Sequence, residues 1–283
     1  MGTELDSCVV CGGELRPALR KDGFDLVRCG TCGLLMRSEL PAHEDLEGIY
    51  APEYFKYRAE TPVDGYADYV GDEERHRETA RRRLALLERF VPSRGRLLDV
   101  GAAAGFFVDE AIRAGWDAEG VDVAAYVVEW GRRELGAPLR VGDVFIAEGP
   151  YTAVTMWDYI EHSLDPAGEL AKTNELLEPG GVVALSTGDV ESAAARLSRS
   201  RWHLLTPRHH NFFFSTRTLA RMLERCGFDV VWTGHPGARY SLAHLAYKAA
   251  PAAVAKRISG SRVGRVSLPV NLFDIVTVVA RKA

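Results

Sequence analysis

"RLLDVGAAAGFF", residues 96–107, places a short apolar run ahead of a loop of glycine and alanine. RLLDV reads as a buried strand, and FFVDEAIRAG reads as a helix that stops at Gly115. Between them Asp99 leads into Gly101-Ala102-Ala103-Ala104-Gly105. Small side chains let the backbone pass close to a ligand, and the helix beyond offers unpaired N–H groups. Two glycines alone carry little weight. Asp122 adds to them, because it closes a second strand, DAEGVDV (117–123), about 20 residues on, where an acid can accept from both ribose hydroxyls. The loop lacks the third glycine of a pyrophosphate cradle. Asp99 ahead of it would repel pyrophosphate and suits a cationic ligand. On these residues alone a nicotinamide dinucleotide stays open.

The alternation continues outward. AYVVEWGRREL reads as a helix closed by Gly136, PLRVGDV as a third strand and YTAVTMW as a fourth. DPAGELAKTNELL is a helix stopped at Pro179-Gly180-Gly181, and VVALST is a fifth strand. TRTLARMLERCGF, DVVWTG and FDIVTVVARK (273–282) add a helix and two strands. Upstream, a helix runs roughly from Glu73 to Phe90, with Leu84, Leu87 and Phe90 on one face and arginines on the other. This pattern predicts an α/β fold, a mostly parallel seven-stranded sheet with helices on both faces. Ligands of such sheets bind beyond the carboxyl ends of the strands. Gly142-Asp143-Val144, ending the third strand, is placed for adenine contacts.

The first forty residues differ. Cys8-x-x-Cys11 and Cys29-x-x-Cys32 are separated by seventeen residues and predict a four-thiolate zinc ribbon of two small hairpins. Cys226, in a helical stretch, reads as a small buried hydrophobe. The expected domains are a ribbon over 1–40, an aromatic linker and helix forming a lid over 41–91, and a sheet domain with its own core over 92–283. Cap segments are expected at about 189–215 and 237–268. The linker carries Tyr50, Tyr54, Phe55, Tyr57, Tyr66 and Tyr69, read chiefly as glue between ribbon and sheet. The second cap carries Arg239, Lys248, Lys256, Arg257, Arg262 and Arg265, read as a solvated flank, a grip on a phosphate-bearing acceptor or a contact with an anionic membrane surface.

Composition narrows the function classes. Hydrophobic residues make up 47% of the 283, enough for a sizeable core, and the net charge of −4 offers no general attraction to a polyanion. No apolar run approaches the roughly 20 residues of a membrane span, and MGTELDSC lacks the form of a secretory signal, so a cytoplasmic protein is expected.

With these motifs in order, the chain resembles the class I S-adenosylmethionine-dependent methyltransferases, in the branch similar to ubiquinone-biosynthesis and sugar methyltransferases. The resemblance covers roughly residues 45–283. It rests on LLDVGAAAGFF, GVDV, WDYIEHSLDP, LLEPGGVVALST and HNFFFSTRTLARMLERCGF. It departs at Ala103, where the family usually has glycine. It implies a Rossmann-like fold and S-adenosylmethionine held by Asp99, Gly101, Ala103, Gly105, Asp122, Val123, Asp143, Val144 and Trp157. A CxxC…CxxC ribbon ahead of this domain is similar to that of methyltransferases acting on nucleotide-linked deoxysugars, and to that of zinc-ribbon rRNA guanine methyltransferases.

WDYIEH (157–162) then acquires a meaning. The fourth strand of this fold ends beside the sulfonium methyl, and the resemblance carries Glu161 and His162 to that place. A hydroxyl acceptor must lose a proton, and a histidine near pKa 6.5 suits that task. His210, before "FS", is implied to face the acceptor. The alternative is that Glu161 and His162 only cap the next helix, although Asp165-Pro166 is its better start. Asp158, Glu161 and His162 together resemble an E-x-x-E-H stretch that could hold a divalent cation, magnesium. Trp202 and Tyr240 could stack on a ring or simply pack. The expected function is methyl transfer to a hydroxyl of a small molecule such as a sugar, glycan precursor or natural-product intermediate. The alternatives are an RNA-modifying enzyme and a catalytically silent binding module. Residues 1–40 hold six acids against five Lys/Arg, which disfavours nucleic acid as a partner.

Overall fold

The computed structural model describes residues 2–49, 69–241, 257, 258, 261 and 267–283. Tyr50, Tyr54, Phe55, Tyr57 and Tyr66 of the linker, and Lys248, Lys256, Arg262 and Arg265 of the second cap, lie outside the described residues, as do the side chains of Arg239 and Tyr240.

The ribbon contributes five strands: β1 (Thr3–Glu4), β2 (Leu15–Lys21), β3 (Phe24–Cys29), β4 (Leu35–Arg37) and β5 (Glu39–Leu40). Asp22 and Gly23, at φ 51° and 89°, turn β2 into β3, the left-handed pair that a tight hairpin requires. A four-residue helix α1 (Leu46–Ile49) and the long helix α2 (Glu73–Leu87) follow. The main sheet is then built by β6 (Arg96–Val100), β7 (Asp117–Asp122), β8 (Leu139–Val141), β9 (Tyr151–Trp157) and β10 (Leu177–Gly188). Helices α3 (Phe106–Arg113), α4 (Ala125–Leu135) and α5 (Pro166–Leu176) connect them. The chain continues through α6 (Ala193–Ser198), β11 (Phe212–Phe213), α7 (Thr216–Arg225), β12 (Phe228–Gly234), β13 (Ala238–Ser241), β14 (Ser267–Val270) and β15 (Ile275–Lys282).

Seven strands pair in the order β12-β15-β10-β9-β6-β7-β8. The five from β10 to β8 run parallel, and β15 lies antiparallel between β10 and β12. This is the expected mostly parallel sheet. Its strands are apolar on both faces because helices cover both faces. Leu97, Ala153, Val182 and Ala184 face Leu84, Leu87, Val108 and Ala111 of α2 and α3. Their alternates Leu98, Val154, Val183 and Leu185 face Leu170, Leu219 and Leu223 of α5 and α7. Every residue of β9 is buried. Full burial of a Val or Met side chain there contributes about 1.5–3 kcal/mol. The helix expected to stop at Pro179-Gly180-Gly181 ends earlier, at Leu176, and those three residues lie inside β10. They form a bulge there, with the pairing to β9 shifted between Leu177 and Val182.

Two features were not expected. The ribbon sheet has a fourth strand supplied from far along the chain: its order is β11-β4-β3-β2, with Phe212 opposite Met36 and Phe213 opposite Leu35. The ribbon also has no separate core, because Cys8, Val10, Leu34 and Met36 belong to one buried cluster with Val183, Leu185 and Phe214. Arg217 of α7 closes this junction, donating to the carbonyl of Cys32 at 2.8 Å and pairing with Glu191 at 3.0 Å.

Candidate active site

A cavity of about 640 Å³ opens at the carboxyl ends of β6, β7, β9 and β10. Its first half is the glycine loop. Gly101 has φ 76°, and a Cβ there would stand 2.4 Å from the Tyr159 ring, so backbone and ring approach as closely as glycine allows. Ala103 occupies the left-handed region at φ 47°, an unfavourable place for alanine. Its N–H is spent on Asp122 Oδ2 at 2.8 Å, while Asp122 Oδ1 accepts from Ala124 at 2.8 Å. Each oxygen keeps a lone pair for a ribose hydroxyl. Gly105 (φ 80°) does not line the cavity; it caps α3 and packs within reach of Leu139. Asp99 is buried and accepts from Thr155 Oγ1 at 2.6 Å. Burial pushes its pKa up to about 7 in spite of that hydrogen bond. Val123, Asp143 and Trp157 line the wall of the cavity. Val144 does not: its side chain is wholly buried in the core, and Phe145 takes the place on the wall.

The second half gathers Glu161, His162 and His210, whose ligating atoms lie within 4.8 Å of one another. The imidazoles of His162 and His210 meet edge to face at 4.7 Å between centroids. His162 Nδ1 lies 2.9 Å from the carbonyl of His209, and His210 Nδ1 lies 3.0 Å from that of Leu204. A carbonyl can only accept, so each Nδ1 carries the proton and each Nε2 presents a lone pair. Burial pushes the His162 pKa down to about 4, against the opposing His209 carbonyl. It pushes His210 well below its ordinary value too. Both rings are therefore neutral at pH 7, and His162 does not titrate near 6.5 as its residue type suggests. Glu161 moves the other way, up to about 8, through burial and the nearby charge of Asp158. Its Oε2 has no hydrogen-bond partner among the described residues, and neither does the buried indole N–H of Trp157. Unspent polar atoms facing one cavity fit a site that expects a ligand.

Asp158 does not join this group. It accepts from Ser186 at 2.7 Å and from Arg83 of α2 at 2.5 Å. Against burial, which would raise it, Arg83 holds this carboxyl below its usual range. The cap of α5 is Asp165, accepting from Gly168 at 3.0 Å, so Glu161 and His162 are not spent on helix capping. Trp202 packs in a small core and donates to Asp274 at 3.0 Å, away from any ring-stacking role. His209 is buried and serves through its backbone carbonyl. Cys226 is half-buried beside the carbonyl of Ala167. Arg83, Tyr159 and Asn211 escaped the sequence reading. Arg83 is one of six arginines of α2 and the turn that follows, and only its place seven residues after cavity-lining His76 could have singled it out.

The four ribbon thiols also converge within 4.8 Å, with Cys8 and Cys32 3.5 Å apart and Cys11 and Cys29 3.4 Å apart. The amides of Thr31 and Cys32 point at Cys29 Sγ at 3.3 and 3.4 Å.

A methyltransferase-domain family profile matches residues 72–233, more than half of the chain. The chain therefore belongs to the S-adenosylmethionine-dependent methyltransferases, the class that its sheet order and glycine loop define. Over 162 residues it is 31% identical to a ubiquinone biosynthesis O-methyltransferase of Xanthomonas axonopodis pv. citri, covering 50% of this chain and 66% of that protein. The corresponding protein of Cereibacter sphaeroides is 27% identical over 156 residues, 50% of this chain and 63% of that one. The chain thus spans less than two thirds of the length of these relatives. The same fold occurs in a SAM-dependent methyltransferase from Archaeoglobus fulgidus (TM-score 0.52, 17% identity, 76% of this chain and 99% of that one). It also occurs in the magnesium protoporphyrin IX methyltransferase of Synechocystis PCC 6803 with bound SAH (TM-score 0.50, 14% identity, 85% and 94%).

Proposed function

We propose that the chain methylates a hydroxyl of a small molecule, with His162 as the proton acceptor. The observation that supports this reading is the convergence of Glu161, His162 and His210 in the cavity that also takes in the glycine loop, each imidazole Nδ1 set by a carbonyl. Asp99, the Gly101–Ala103 backbone, Asp122 and Asp143 suit an adenosyl cation. When bound, S-adenosylmethionine supplies an electrophilic methyl on a sulfonium leaving group. His162 Nε2 takes the acceptor's proton as the C–O bond forms and the C–S bond breaks. The site's net charge is unchanged by this step, since the positive charge lost at sulfur reappears on the imidazole. The carboxylate of Asp158, whose charge His162 feels, is the same before and after the step and need not reorganise. The cavity has the volume of a small-ligand site.

Magnesium on Asp158, Glu161 and His162 does not fit, because Asp158 is committed to Arg83 and the remaining donors are two imidazoles and one carboxyl. No step is routed through it. Zinc in the ribbon does fit: four thiols within 4.8 Å of one another, two amides aimed at one sulfur and no disulfide among them. Free thiols also fit a reducing compartment, the cytoplasm. No described helix is long and apolar enough to cross a membrane. We keep the division at residues 40 and 91 as a proposed map of roles: a metal-binding ribbon, a lid and a transfer domain. An RNA-reading ribbon is disfavoured, since its β4 edge is occupied by β11.

The test is His162→Ala with methyl-labelled S-adenosylmethionine and a panel of catechols, sugars and nucleotide-linked sugars. Affinity for S-adenosylhomocysteine should persist, and turnover on any accepted compound should fall roughly 10²–10⁴-fold. Normal turnover by the variant would remove His162 from the chemistry.

A further inference from the structure

His162 is gripped from outside its own strand. After β9 the chain turns through residues 158–165, and three successive carbonyls, those of Glu161, His162 and Ser163, find their partners on one segment far along the chain. Asn211 meets all three. Its backbone N–H donates to Glu161 at 2.7 Å, and its side-chain amide donates to His162 at 3.0 Å and Ser163 at 3.1 Å. Phe212 N–H adds a second donor to Glu161 at 3.2 Å. On the other side Asn211 faces the ribbon. Its carbonyl accepts from Arg37 N–H at 2.9 Å, and its Oδ1 lies 3.5 Å from Arg37 Nη1. Asn211 is 3% exposed, and every one of its polar groups points either at the turn or at the ribbon. Only an amide of this length supplies two donors to neighbouring carbonyls together with an acceptor on the opposite side.

We propose that Asn211 is a positioning residue for the acceptor site and that ribbon strand β4 is what holds it in place. The ribbon completes the Glu161–His162 turn instead of recognising a substrate by itself. This rests on the reading of Glu161 and His162 as the reacting pair. Without the amide, two buried carbonyls lose their donors. The turn relaxes, and His162 Nδ1 drifts from the His209 carbonyl that fixes its tautomer. The cofactor half is built on β6 and β7, and none of Asn211's hydrogen bonds reaches it.

The experiment uses the full chain labelled with ¹⁵N-histidine, with S-adenosylhomocysteine as the probe of the cofactor half. The parent should show His162 as a single Nδ1–H tautomer. In Asn211→Ala and Asn211→Asp that signature should average between tautomers, with S-adenosylhomocysteine affinity unchanged within about twofold, as for independent sites. Leu87→Ala, a core truncation elsewhere, should lower thermal stability and leave the signature alone. Cys8→Ser should reproduce the averaging, whereas Cys226→Ser should not. If both Asn211 variants keep the single tautomer, or Leu87→Ala loses it equally, the positioning role is overturned; a Cys8→Ser chain with the parent's signature overturns the ribbon's part. A turnover-competent His162→Ala would sink the reacting role alone, because the tautomer reports Asn211's hold whether or not His162 reacts.

Discussion

At neutral pH Glu161 keeps a proton that an exposed glutamate would have lost, because burial and the Asp158 charge push its pKa up to about 8. In the unfolded chain it titrates near 4.5. Between those values the folded state binds more protons than the unfolded one, so this residue makes stability fall as pH rises. Glu161→Gln keeps the shape and removes the titration. Its stability relative to the parent should therefore grow from nothing near pH 4 to roughly 2–4 kcal/mol near pH 8. Urea unfolding across that range measures it, and an offset independent of pH would mean that the carboxyl is not held protonated. A buried carboxyl whose ionisation costs stability is a familiar mark of a functional position. His162 is tuned in the opposite sense by the same burial, so both groups are uncharged at neutral pH.

Among elements, the ribbon gives the clearest contrast between pattern and packing. Its cysteine spacing was legible, because metal-ligand geometry is local: each pair sits on one turn, with Gly12 and Gly33 in the left-handed region. Its fourth strand was not. HNFFFS carries no β-pairing signal that names Leu35 and Met36 as partners, since strand pairing depends on register across the fold and not on spacing along the chain. The shared core changes what metal loss should do. Chain purified without added metal should hold about one zinc per chain by elemental analysis, the stoichiometry of a four-thiolate site. Cys8→Ser should lower the melting temperature of the whole molecule in one transition, because Cys8 and Met36 pack in the same cluster as Val183 and Phe214. A separate early transition with an unmoved main one would show that the ribbon folds independently after all.

For the whole molecule, the sheet and the cofactor loop were readable because strand–helix alternation, glycine turns and the Asp99–Asp122 spacing are each carried by neighbouring residues. The acceptor half was readable only in part. Glu161, His162 and His210 stood out as reactive types, yet their protonation could not be foreseen, since it is set by burial that the sequence does not display. Val144 lay beyond the sequence in another way: the 3₁₀ turn that Asp143 caps turns it inward, while its neighbour Phe145 lines the cavity. The pairing of β4 with β11 also orders events in time. During synthesis the first forty residues emerge long before Phe212 and Phe213, so the ribbon spends most of translation with an open apolar edge and half a core. Contacts of such sequence separation form late, because the intervening loop must close first. Nascent chains arrested before Asn211 has emerged should be cleaved by protease within the first forty residues, and chains arrested after α7 has emerged should resist. The cluster of four thiols would thus be completed only after residues far downstream of it have been made.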